Sequence, residues 1–110
     1  MKYLIVGLLA GAALAAPVSN ARQTFTGVIT DNMCAEAGHA SMRMGPTDAE
    51  CTVACVDAHG AQYVLLAGKI AYWLSDQQMP ARFAGQQVRV TGTLDTKTKT
   101  IAVDAVRPAK

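Results

Sequence analysis

Apolar and polar residues alternate in two stretches near the C-terminal end of the chain. Val88-Arg89-Val90-Thr91-Gly92-Thr93-Leu94 and Thr100-Ile101-Ala102-Val103-Asp104-Ala105-Val106 follow the two-residue period of strands with one face buried. Residues Asp95 to Lys99 turn between them, Val88, Val90, Gly92 and Leu94 are expected inside, and Arg89, Thr91, Thr93 and Asp95 face solvent. Tyr63-Val64-Leu65-Leu66 and Ile70-Ala71-Tyr72-Trp73-Leu74, separated by Ala67-Gly68-Lys69, predict a β-hairpin. Thr24 to Thr30 is β-branched and aromatic around Gly27, which predicts a strand with a bend or a close backbone approach, and Asp31-Asn32 then turns the chain. Met33 to Pro46 shows no clean period and reads as a loop with room for a helical turn. Thr47-Asp48-Ala49-Glu50 has the S/T-x-x-E pattern, in which hydroxyl and carboxylate satisfy each other's free backbone N–H groups. A helix is predicted over about 48–58, ended by Gly60. Ser75-Asp76 and Pro80 predict a second, short helix ending at Gly85. The expected fold class is mainly β: a small five-stranded barrel or curled sheet with one inserted α-helix.

Ahead of these elements the pattern is different. Met1-Lys2 is followed by an uncharged run from Tyr3 to Ala16, short for a membrane span of ~20 residues. One positive charge, an apolar run and small residues near its end are the parts of a secretory signal. Residues 1–21 are read as that signal, with cleavage after Ala15 or Ala21, and 22–110 as a single domain. The expected location is periplasmic or secreted, with no membrane attachment after cleavage. Without Lys2, the net charge of +2 falls to +1, too little for a nucleic-acid footprint. A domain this small gains from a staple, because its core alone is only marginally sufficient.

The stretch Gln87 to Leu94 followed by Thr100 to Asp104 resembles the second half of oligonucleotide/oligosaccharide-binding (OB-like) barrels. The chain from Gly27-Val28-Ile29-Thr30-Asp31 through Cys34, His39, Glu50-Cys51, Cys55 and Tyr63-Val64-Leu65 to that ending is similar to an uncharacterised family of small exported bacterial proteins, a domain of unknown function with a Cys/His-containing loop-helix insertion. The resemblance implies an OB-like fold and an exported location. It implies no activity.

The chemistry is concentrated between Cys34 and His59. At about 100° per residue, Cys51, Cys55 and Ala58 share one side of the predicted helix, while Ala49, Val53 and Val56 form a second apolar side. The valine side is assigned to the main core. The cysteine side is assigned to the Met33–Pro46 loop, which brings Cys34 and His39 onto Cys51 and Cys55.

Three readings follow. In the first, the module is structural or ligand-binding and Cys34 forms a disulfide with Cys51 or Cys55, closing a loop worth ~3 kcal/mol and leaving one spare thiol. Cys51 and Cys55, one helical turn apart, have Cβ atoms ~5–6 Å apart, too far to pair directly. In the second, Cys34, His39, Cys51 and Cys55 make a Cys3His set suited to tetrahedral zinc. His59 could replace His39, and Met33, Met42 and Met44 would add thioethers suited to copper(I). In the third, Cys51 in the first helical turn acts as a redox thiol, with the acidic Glu50 opposing its ionisation.

Each candidate also has a plainer role. His59 before Gly60 suits a helix C-terminus, His39 suits an exposed loop, and the methionines suit gap filling. Trp73 is expected to be exposed and to form a contact surface for a protein or small-ligand partner. No Ser/His/Asp set, carboxylate pair or phosphate-binding loop is present, so no enzymatic activity is expected.

Overall fold

The structure is a computed structural model that describes residues 21–109. Apart from Ala21, the segment read as a signal lies outside the described residues. Five strands carry the domain: β1 (Gln23–Asp31), β2 (Tyr63–Ala67), β3 (Ile70–Leu74), β4 (Gln87–Asp95) and β5 (Thr100–Pro108). Two helices, α1 (Asn32–Ala37) and α2 (Asp48–His59), are inserted between β1 and β2, and a short 3-10 helix, Pro80–Phe83, precedes β4. No helix among the described residues is long and apolar enough to cross a membrane.

The strands close into a ring in the order β1-β2-β3-β5-β4. All pairs are antiparallel except β3 with β5, where Trp73 lies opposite Thr100 and Leu74 opposite Ile101. This mixed five-stranded ring is the mainly β fold expected, consistent with an OB-like curled sheet. Closure depends on β1 serving two neighbours. Its first half pairs with β4, Gln23 opposite Gly92 through Val28 opposite Gln87; its second half pairs with β2, Val28 opposite Leu66 through Asp31 opposite Tyr63. Gly27 sits at this handover because a Cβ there would collide with the Leu66 carbonyl, the close backbone approach anticipated for it. The β4–β5 pair bends at a register shift between Thr91 and Gly92.

Alternation aims Ile29, Leu65, Val88, Val90 and Ile101 into the ring, where all are fully buried. Each contributes roughly 1.5–3 kcal/mol of burial. The Phe25 and Tyr72 rings pack against this core with centroids 5.4 Å apart. A second buried cluster, Cys34, Cys51, Cys55 and Ala61, lies between the two helices, with Met33, Met42 and Val56 packed on it.

Two expectations about the insertion need correction. The Met33–Pro46 loop begins with a true helix, α1, started by Asp31, whose carboxylate accepts from the Met33 and Cys34 N–H groups. The second concerns α2, whose ends fall as expected: Thr47 accepts from the Glu50 N–H, without the return bond from the Glu50 carboxylate, and Gly60 takes the left-handed conformation at φ 69°. Its apolar sides differ from the expected pair, because it buries a single arc of Cys51, Thr52 and Cys55 while Val53 stays 37% exposed. Val56 packs on both clusters and is the only part of the valine side that joins the main core. The polar Thr52 can be buried because its hydroxyl is hydrogen-bonded to the Thr30 hydroxyl of β1 at 3.3 Å.

Candidate metal centre

Four segments meet at the second cluster. The end of β1 supplies Thr30 and Asp31, both buried; α1 supplies Cys34, 3% exposed; the following loop supplies His39; and α2 supplies Cys51 and Cys55, fully buried. The local cause of the convergence is Asp31. Its Oδ2 accepts from the Met33 and Cys34 N–H groups at 3.1 and 3.0 Å, which starts α1 and fixes Cys34 against α2.

The Cys34 Sγ lies 3.7 Å from the Cys51 Sγ and 3.9 Å from the Cys55 Sγ. A disulfide requires about 2.05 Å. All three thiols are free, so the bond expected between Cys34 and Cys51 or Cys55 is not formed. Cys51 instead pins the loop, donating to the Met42 carbonyl at 3.1 Å and accepting from the Met44 N–H at 3.3 Å. His39 reaches back to the barrel, its Nε2 lying 3.3 Å from the Thr30 hydroxyl.

Two overlapping sets of potential ligands result. One atom each from Cys34, His39 and Cys51 lie within 4.8 Å of one another, as do one atom each from Asp31, Cys34 and Cys55. Cys34 is common to both. Two buried side-chain atoms among the described residues lack any hydrogen-bond partner, and both belong here: Asp31 Oδ1 and His39 Nδ1. Such atoms are uncommon in folded proteins and call for an explanation.

Burial opposes the redox reading, because Cys51, the thiol it names, is fully buried. Burial pushes the Cys34 thiol far above its ordinary range, and the neighbouring Asp31 carboxylate and Cys51 thiol add to the shift. Burial and the Asp31 charge also raise Cys55. A redox nucleophile needs the reverse, a lowered pKa and access to solvent.

The remaining sequence candidates take their plainer roles. His59 is exposed in the last turn of α2, suited to the helix C-terminus. Met33 and Met42 pack as apolar filling against the thiols, and Met44, 39% exposed, contributes its main-chain N–H. Trp73 is 40% exposed and lines a shallow groove with Asn32, Glu36 and Lys69. Sequence reasoning missed Asp31 as a site residue. Its signal in the sequence is an Asp ahead of a helical turn, a pattern that fits a helix cap as well as the chain reversal expected there.

No curated protein and no solved structure matches the chain. Over residues 58–109, from the end of α2 through β5, it matches the family model described as "Protein of unknown function (DUF5818)", a match that supports an uncharacterised domain family and leaves Cys34, His39, Cys51 and Cys55 outside it.

Proposed function

We propose that the protein is a small exported module that holds one zinc or copper ion, using Cys34, Cys51, Cys55 and His39 to fasten the loop-helix insertion onto an OB-like barrel. The observation that carries this reading is the pair of orphaned buried atoms, Asp31 Oδ1 and His39 Nδ1, on residues that each fall within a ligand set containing Cys34. Left unpartnered, each costs roughly 1–3 kcal/mol, and a disulfide staple would satisfy neither. An ion held at Nδ1 would relieve the His39 atom directly. With the Nε2 proton donated to Thr30, Nδ1 carries the free lone pair, and the Thr30–Thr52 hydroxyl pair holds the ring in place. Binding requires the thiols to lose protons that burial makes them keep, so the free energy of the metal–sulfur bonds must offset that cost. In a domain of this size the same ion acts as the missing staple.

The test is elemental analysis of the mature protein after loading with zinc, or with copper(I) under reducing conditions, followed by dialysis. One ion per chain is expected, with loss of the ion in Cys34→Ser. Equal retention by wild type and Cys34→Ser would overturn the reading. The disulfide staple, which is absent here with the Cys34 and Cys51 sulfurs 3.7 Å apart, is checked on the same protein. It predicts a single titratable thiol in denatured, unreduced protein, where the metal reading predicts all three.

A further inference from the structure

We infer that Asp31 is itself a ligand, making the centre a mixed oxygen, nitrogen and sulfur site that selects zinc(II) over copper(I). This rests on the metal reading above and specifies its ion. Asp31 is 0% exposed at the end of β1, and its two oxygens have different tasks. Oδ2 holds the first turn of α1 through two N–H donors, which fixes the orientation of the carboxylate. Oδ1 has no partner, although the carboxylate lies within 4.8 Å of the Cys34 and Cys55 sulfurs. A capping residue on a short helix needs no such surroundings. Aspartate caps normally keep their second oxygen in water, whereas this one is sealed among thiols, where an unpaired carboxylate is costly without a cation.

The donor set then decides the ion. Thiolate, imidazole and carboxylate are all accepted by zinc(II). Copper(I) prefers thiolate and thioether sulfur and gains little from a carboxylate. Met33 and Met42, the nearest thioethers in the sequence, are used as apolar packing. Because Cys34 is shared by both ligand sets, an ion beside it stands at the junction of the Cys34, His39 and Cys51 triad with the Asp31, Cys34 and Cys55 triad. The Asp31 carboxylate would thereby tie the end of β1 to the ion as well as to α1.

The experiment uses the full mature chain as wild type, Asp31→Asn and Asp31→Ser. Both replacements keep a side-chain oxygen able to cap α1 and remove the carboxylate. Zinc and copper(I) affinities are measured separately by competition with chromophoric chelators, with circular dichroism recorded on each metal-free sample. The expected result is a zinc affinity lower by at least about tenfold in either variant that retains the wild-type dichroism, with copper(I) affinity changed far less. An unchanged zinc affinity, or an equal fall for both metals, would overturn the role of Asp31 while leaving the metal reading intact. Failure of the wild type to bind zinc or copper(I) would instead overturn the metal reading.

Discussion

The Cys34 thiol is held between Cys51 and Cys55 and beside Asp31, and each of these surroundings favours its protonated form. This has a consequence for the reduced, metal-free protein. Thiols in the unfolded chain ionise near pH 9, whereas folded Cys34 and Cys55 keep their protons to higher pH. Above about pH 9 the unfolded state therefore binds fewer protons than the native state, and stability falls as pH rises. Below that range both states are protonated and the contribution is fully present. Thermal midpoints are expected to be insensitive to these thiols at neutral pH and to decline from about pH 9 upward. The decline should become shallower in the Cys34→Ala/Cys55→Ala double variant; an identical decline would contradict the account. Tyr63, also raised by burial and by the Asp57 and Asp31 charges, adds to the fall at still higher pH. The orphaned atoms follow a different logic. A sequence can show that Asp31 and His39 are present, but their lack of partners depends on how β1, the loop and α2 close around them.

The elements were legible where one local rule decided them. Period-two alternation located β4 and β5, Thr47 and Gly60 bounded α2, and Gly27 marked a point where two backbones meet. The predicted short helix before Gly85 appears as the 3-10 turn Pro80–Phe83. What escaped was α1, six residues with too few turns to show a period, and the orientation of α2. On a helical wheel Val53 and Val56 belong together, but the barrel end is small enough to cover only Val56, and the Thr30 hydroxyl makes Thr52 a better inward residue than Val53. The Thr47 cap carries a prediction at this scale. Removing the hydroxyl in Thr47→Ala frees the Glu50 N–H and should lower stability by ~1 kcal/mol, read as a reduced urea midpoint with an unchanged slope. An unchanged midpoint would mean that the start of α2 is held by packing alone. Because Cys51 lies in that first turn, the same variant should also weaken zinc binding.

Among the described residues two cores share one chain. The ring buries Ile29, Leu65, Val88, Val90 and Ile101 through long-range strand pairing, while the thiol cluster holds only an inserted loop and two helices. Val56 is the hydrophobic bridge between them, and the Thr30–Thr52 and Thr30–His39 hydrogen bonds are the polar one. The family match covers most of the ring and stops short of the cysteines, so the proposed metal chemistry rests on this chain's own geometry. Under the proposed metal reading, removing the ion should loosen the insertion while the strands persist. The most direct test of the central claim is native mass spectrometry of the unreduced protein, loaded with zinc and recorded before and after a strong chelator. The account predicts a chain carrying one zinc ion that reverts to the mass of the fully reduced, three-thiol polypeptide. A metal-free chain lighter by two hydrogens, unchanged by the chelator, would contradict it and identify the cluster as a disulfide.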